Sequence, residues 1–298
     1  MSRPQRDEHS VPSPAPADAR VPAGAAFPGA TGLTVLDVYD WTAPDGLRGG
    51  SAHVHLASAE GYLVLSGAGS LQTLSERGYA ATPLRPGDCV WFTPGTIHRL
   101  VNDGGLRLAI VMQNAGLPEH GDAVLTFAPD ILADPGRYAR AASLDPLPGE
   151  PAVAGQTRAD RARRRASLAV AGYLQLRAQV AERGPGALER FYAQALRLVA
   201  GRAPEWRERW QAGARRTAEL TGEHLDNIAA EVSGHLASAG VWGIAASVPP
   251  DSGAAEGGNT PGDNAPGGNG DAGTPDTRAY GMCGRLTTYP AARAARLA

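Results

Sequence analysis

Short apolar runs separated by turn residues fill the first half of the chain. Between Gly32 and Ala128, Gly, Pro, Asp and Asn divide the runs LTVLDVYDW, AHVHLA, GYLVLSG, SLQTL, CVWFT, IHRLVN, LRLAIVMQ and AVLTF. Closely spaced short strands are typical of a β-sandwich, barrel or jelly roll, so residues 31–130 are predicted to form one β-rich domain. The tetrapeptide Asn102-Asp103-Gly104-Gly105 lies between two apolar runs and predicts a hairpin turn there.

The apolar positions then change to the helical period, and residues 131–248 are predicted to be helical. A first helix runs from about Thr157 to Arg183 and ends at a Gly-Pro-Gly breaker. The next helix carries one apolar stripe: Leu188, Phe191, Tyr192, Ala195, Leu196 and Val199. Apolar faces of this size must be covered. We expect the helices to pack mainly with one another beside the barrel; a subunit interface, and hence a homodimer, is the alternative.

Three further segments differ in composition from both regions. Residues 1–30 are rich in Pro, Ala, Ser and charge, and residues 249–278 contain almost no apolar side chains. Neither segment buries enough surface to offset its chain entropy, so both are predicted to be disordered. Residues 279–298 begin with AYGMCGRLTTYP, which is apolar enough to dock on the folded part of the chain.

Composition excludes several classes of function. All 28 basic residues are Arg, so Schiff-base chemistry, pyridoxal-phosphate anchoring and a P-loop lysine are excluded. The formal net charge of -2 gives no reason to expect nucleic acid or an anionic membrane as a partner. Two widely separated cysteines, no signal-peptide pattern and no long apolar run favour a cytoplasmic location.

Three histidines and one glutamate in the β-rich domain have the spacing of a metal site. His53 and His55 lie two apart on a predicted strand, so both imidazoles project to the same face. Glu60 begins the next run, and His98 follows a turn on a separate strand. Nitrogen and oxygen donors of this kind suit Fe(II), Mn(II), Ni(II), Zn(II) or Cu(II), and four ligands leave open positions on a six-coordinate metal.

These residues resemble the two motifs of the cupin superfamily. The first motif, G(X)5HXH(X)3,4E(X)6G, is matched by HVHLASAEGYLVLSG from His53 to Gly67, except that the leading Gly46 is one residue too far away. The second, G(X)5PXG(X)2H(X)3N, is matched by PGDCVWFTPGTIHRLVN, except that Thr93 replaces the first proline. The resemblance implies a jelly-roll β-barrel followed here by helices, α+β overall. It also implies His53, His55, Glu60 and His98 as metal ligands.

The resemblance implies small-molecule chemistry without fixing the reaction. Cupins with this ligand set are similar to dioxygenases, decarboxylases and isomerases alike, so the fold does not determine which reaction is catalysed. We place a dioxygenase-type oxidoreductase with iron first, and a metabolite-sensing regulatory module is the alternative from another class. Glu60 is the ligand most able to detach and act as a base. Tyr62 should share the inward face, either as a hydrogen-bond donor to substrate or as an aromatic side chain packed in the wall.

Neighbouring positions predict the surroundings of the site. Arg99 follows His98 and is expected to point outward at the surface. Cys89 lies in an apolar strand and is expected to be a small buried residue. Trp91 and Phe92 alternate, so one of the two should line the cavity.

Overall fold

The computed structural model describes residues 27–149, 155–243, 278–289 and 295–296. Its strands are β1 (Gly32–Val38), β2 (His53–His55), β3 (Glu60–Ser75), β4 (Gly78–Leu84), β5 (Cys89–Phe92), β6 (Ile97–Met112), β7 (Ala123–Leu125), β8 (Trp242–Gly243), β9 (Ala279–Tyr280), β10 (Gly284–Thr288) and β11 (Ala295–Arg296). Its helices are α1 (Pro129–Leu132), α2 (Pro135–Ala142), α3 (Arg158–Arg183), α4 (Ala187–Val199), α5 (Ala203–Trp210) and α6 (Arg216–Ala229). The segments predicted to be disordered lie almost entirely outside the described residues.

Two antiparallel sheets share the long strands β3 and β6. The first sheet has the order β5-β3-β6-β1-β10-β9, and the second has the order β4-β3-β6-β2-β7. The two sheets face each other, as in a jelly roll. The predicted fold class, a β-barrel followed by helices, is therefore confirmed. None of the described helices is both long and apolar enough to cross a membrane.

The predicted hairpin at Asn102–Gly105 is wrong, because these residues form a bend inside β6. Strand β3 pairs with both halves of β6, with register shifts between Val64 and Gly69. The Asn102 side chain accepts hydrogen bonds from the backbone N–H groups of Gly104 and Leu106 and donates one to Val38 O. Gly67 has φ +76°, and a Cβ there would lie 2.1 Å from the Gly105 carbonyl oxygen. The turn signal is local, whereas pairing with β3 holds both halves of β6 in one strand.

The helices α3 and α4 cover the outer face of the second sheet. Side chains of the sheet and of the helices form one buried cluster, which includes Val54, Leu74, Ile97, Val124, Ala169, Tyr173, Leu176 and Phe191. Helix α3 approaches so closely that a Cβ on Gly172 would lie 2.0 Å from Thr126 O. The prediction that the helices pack mainly with one another is wrong for α3 and α4, since they share their core with the barrel.

Two predictions about single side chains are also wrong. Arg99 points away from the barrel interior as predicted, but it is completely buried and pairs with Asp45 through Nη1 at 2.6 Å and Nη2 at 3.3 Å. Cys89 is exposed, because none of the described helices packs on the outer face of the first sheet. Whether a side chain on the outer face of a sheet is buried depends on what covers that face. Alternation along the strand does not show this.

The segment 278–289 is part of the first sheet. Strand β10 pairs with β1 from Thr34 opposite Thr288 to Val38 opposite Gly284. The Gly281 carbonyl accepts hydrogen bonds from Tyr39 Oη at 2.9 Å and Arg165 Nη2 at 2.6 Å. Cys283 is buried in the cluster between the two sheets. This strand therefore connects the barrel to helix α3.

We predict that residues 1–148 do not fold when expressed alone. That fragment lacks the helices that cover Val54, Ile97 and Val124, and it also lacks β10. It should show no cooperative thermal transition by circular dichroism, whereas the full chain should show one. Co-expression with residues 149–298 is the control and should restore a soluble complex. A fragment with its own cooperative transition would contradict this account.

Candidate metal centre

Side chains from three strands and both sheets meet between the sheets. His53 and His55 point inward from β2, and His98 lies directly opposite His53 on β6. Glu60 begins β3 in the first sheet, where it pairs with Met112 and Phe92. The alternation of side chains in strands turns all four inward. The second sheet thus supplies three imidazoles, and the first sheet supplies the carboxylate.

The inward atoms of these residues have the separations of metal ligands. His98 Nε2 lies 3.1 Å from His53 Nε2 and 3.1 Å from Glu60 Oε2. His55 Nε2 lies 3.3 Å from Glu60 Oε2, and all four ligand atoms lie within 4.8 Å of one another. Two ligands bound at right angles with bonds of about 2.1 Å are about 3.0 Å apart. The four side chains predicted as ligands therefore lie together with suitable spacing.

The outer nitrogen of each ring faces an oxygen atom, and those of His53 and His98 are within hydrogen-bond distance of it. His53 Nδ1 lies 3.1 Å from Ser51 O, His98 Nδ1 lies 3.0 Å from Thr96 O, and His55 Nδ1 lies 3.5 Å from an Asp122 carboxylate oxygen. A neutral ring that donates from Nδ1 presents the lone pair of Nε2 inward. His53 Nε2 and His98 Nε2 lie 3.1 Å apart, and two lone pairs at this distance repel one another unless a cation lies between them.

A cation would also stabilise the buried carboxylate of Glu60. Glu60 Oε2 accepts no hydrogen bond from the described residues, although the side chain is almost completely buried. A buried polar atom without a partner costs free energy. Three convergent imidazole nitrogens and one such carboxylate oxygen fit a divalent transition metal.

Burial and neighbouring charges shift the pKa values of three of the four side chains. Burial lowers the pKa of His53 well below its ordinary value, and His98 and His55 lower it further. Burial also lowers the pKa of His55, but the nearby carboxylates of Asp122 and Glu60 outweigh it and raise that pKa to about 9. Burial raises the pKa of Glu60, yet His98 and His55 bring it well below its usual range. Glu60 is therefore ionised and His53 is neutral at neutral pH, as metal ligands must be, whereas His55 holds a proton that a bound metal would displace.

An aromatic wall lies beside the ligands. The Phe92 ring centroid is 4.3 Å from that of His98 and 5.5 Å from that of Tyr62, while Trp91 points into solvent. Phe92 is thus the member of the Trp91–Phe92 pair that faces inward. Burial raises the pKa of Tyr62 well above its ordinary value, and the charge on Glu60 adds to this effect. The phenol therefore keeps its proton and remains a hydrogen-bond donor.

Sequence reasoning missed two residues that touch the histidines. Asp122 is completely buried; its Oδ1 accepts hydrogen bonds from the backbone N–H groups of Leu56 at 2.9 Å and Ala57 at 2.7 Å, and its Oδ2 faces His55. Cys283 Sγ lies 4.0 Å from His53 Nδ1. Asp122 lies in a loop without periodicity, and Cys283 is 230 positions from its histidine, so neither position carried a sequence signal.

Comparison with known proteins identifies the barrel. Residues 40–112 match the family model described as a cupin domain. The barrel is a cupin domain. A comparison with curated proteins finds no significant relative.

Several solved structures resemble the cupin domain at low identity. An uncharacterised conserved protein with a double-stranded β-helix domain from Klebsiella pneumoniae is 20% identical, with a TM-score of 0.23, over 28% of this chain and 66% of its own. The capsular polysaccharide assembling protein CapF from Staphylococcus aureus is 18% identical, with a TM-score of 0.24, over 29% and 24% of the two chains. Streptomyces Pac13, described as a nucleoside dehydratase, is 17% identical, with a TM-score of 0.23, over 29% and 62%. The match therefore spans less than two thirds of each of these chains, and at this level it does not bear on activity.

We predict that Asp122→Asn weakens metal binding by about 10- to 100-fold, the usual effect of losing an outer partner of a metal-bound histidine. Asn retains an oxygen for the N–H groups of Leu56 and Ala57, but its amide nitrogen cannot accept from His55 Nδ1. The dissociation constant for Co(II) is measured by absorption titration of the full chain. Asp103→Asn, at an exposed position of β6, is the control. Equal affinities for Asp122→Asn and the unsubstituted protein would show that Asp122 does not position His55.

Proposed function

We propose that the cupin domain binds one divalent transition metal through His53, His55, Glu60 and His98, and that it is a metal-dependent enzyme acting on a small molecule. The observation that carries this proposal is the convergence of three Nε2 atoms and Glu60 Oε2, while each Nδ1 faces an outer acceptor. Imidazoles that point Nε2 toward a common centre and Nδ1 toward an outer oxygen are typical of a metal site rather than of a packed core.

The donor set limits the metal and the chemistry. Three imidazoles and one carboxylate suit Fe(II), Mn(II), Ni(II), Zn(II) or Cu(II), and we favour iron. When bound, the metal would supply a Lewis-acidic or redox-active centre with open positions for a substrate oxygen. All four ligands are almost completely buried, so the protein excludes bulk water from them.

The interior of the cupin domain indicates a small and largely apolar substrate. The buried cluster of the cupin domain that contains Tyr62 and Phe92 also includes Leu36, Val64, Leu108, Ile110 and Met112. A substrate oxygen near the ligands would find one neutral donor, the Tyr62 phenol. Glu60, which is ionised, is the group able to take a proton from such a substrate. These roles support a dioxygenase-type oxidoreductase first, with a decarboxylase or an isomerase as other reactions of the same site.

A metabolite-sensing module is the second candidate function. Its support is the packing of α3 and α4 on the outer face of the sheet whose inner face carries the three histidines. Val54 lies between His53 and His55 in sequence and belongs to the cluster shared with these helices. A ligand that moves β2 would therefore act directly on the helical region.

We predict that the purified full chain binds close to one transition metal and that His98→Gln loses this binding by 100-fold or more. Removing one imidazole leaves only three of the four ligands, and these hold a metal ion less tightly. Metal content is measured by elemental analysis, and affinity by competition with a chromophoric chelator. His224→Gln, at an exposed position on α6, is the matched control. Retention of tight binding by His98→Gln would remove the metal proposal.

We predict that the iron-loaded full chain consumes O2 in the presence of a suitable small molecule, and that Tyr62→Phe lowers the rate about 10- to 100-fold. That range corresponds to loss of one hydrogen bond to a charged group. Oxygen uptake is measured with an electrode across a panel of small phenols, diols and keto acids, with metal content checked in parallel. Metal binding without turnover of any panel compound, combined with a ligand-induced rise in melting temperature, would favour the sensor.

A further inference from the structure

The two sheets differ in what covers their outer faces. Helices α3 and α4 bury the outer side of the second sheet, whereas no helix in the described part of the chain covers the outer side of the first sheet. This second surface is nevertheless apolar. The bare face, as we call it, consists of Leu33, Val35, Leu63, Leu65, Cys89, Trp91, Ala109 and Val111.

Strand register makes the bare face continuous. Gly61 lies opposite both Trp91 and Val111, and Val111 lies opposite Leu33, which gives one row across four strands. A second row runs beside it through Cys89, Leu63, Ala109 and Val35. Neighbouring strands are about 4.8 Å apart, so each row is about 15 Å wide. The side chains therefore form one patch rather than scattered apolar positions.

The exposure of the largest side chains is unusual for a monomer. Trp91 is 76% exposed, and Leu63, Leu65 and Val111 are 42%, 43% and 41% exposed. With the partly exposed Leu33, Val35 and Ala109, the patch amounts to roughly 600 Å², the upper end of what monomers carry. A tryptophan at the centre of an apolar patch is a frequent anchor of protein interfaces.

We propose that the bare face is the interface with a second copy of this chain. A twofold pair of such faces would bury roughly 1,200 Å² in total, the lower limit of a specific interface. Asp37 pairs with Arg107 and Arg278 at one end of the patch. A twofold axis that lies in the interface plane and runs across the strands would place this cluster of the two copies at opposite ends of the interface, so the two clusters do not meet. The interface is apart from the metal ligands, which point to the other side of the sheets.

Sedimentation equilibrium of the full chain tests this interface. We expect a dimer at roughly 10 µM, and a dissociation constant raised about 30-fold or more by Trp91→Glu and by Leu63→Glu, as for central interface residues. Both side chains project into solvent from the protomer, so circular dichroism should be unchanged. Leu225→Glu on α6, a leucine 60% exposed and outside the first sheet, is the matched control and should leave the dimer intact.

The two cysteines provide a second measurement on the unsubstituted protein. Cys89 belongs to the bare face and is exposed in the protomer, whereas Cys283 is buried. We expect a thiol reagent to modify Cys89 slowly at high protein concentration and faster on dilution, with Trp91→Glu reacting fast throughout. A monomer at roughly 100 µM, a dimer unaffected by Trp91→Glu, or a dimer broken by Leu225→Glu would each overturn the proposal.

Discussion

Strands β3 and β6 pair along almost their whole length, and the metal centre depends on the way this pair bends from one sheet into the other. The bend brings the start of β3, with Glu60, over the first half of β6, with His98. Gly67 allows the two bends to touch, because a side chain there would collide with Gly105. Asn102 bonds the backbone groups that the bend leaves without strand partners. Both residues belong to the sequence motifs, and they stabilise the bend of the β3–β6 pair rather than bind the metal.

The bend of the β3–β6 pair alone would bring the four side chains near one another without orienting them. Orientation comes from the carbonyls of Ser51 and Thr96 and from the carboxylate of Asp122, each facing one Nδ1. Two of these acceptors are backbone atoms two residues before the histidine, so the strand itself supplies them. The third comes from a loop that also ties the end of β2 through Leu56 and Ala57. The rings are therefore held in position before any metal binds, which reduces the entropy lost on binding.

The helical region is an extension of the barrel and not a separate body. It covers one outer face, and the segment that contains β10 returns to the edge of the other sheet and contacts α3 through Arg165. The molecule is therefore asymmetric, with one sheet face buried by its own helices and one apolar face bare. The two sheets therefore differ in role. The second carries the three histidines, and the first presents the surface that we assign to a second copy.

The sequence by itself determined which four side chains lie together between the sheets, and the class of fold. The spacing of His53, His55, Glu60 and His98 depends on strand alternation, which is a local property, and the short apolar runs predicted the strands for the same reason. It also indicated that one of Trp91 and Phe92 faces inward. Only the tertiary structure decided which partner each strand and helix takes. The turn residues at Asn102–Gly105 became a bend, Arg99 became buried with Asp45, and Cys89 became exposed, since each outcome depends on elements distant in sequence. Asp122 and Cys283 reached the histidines for the same reason: chain topology brings together positions between which the sequence shows no periodicity.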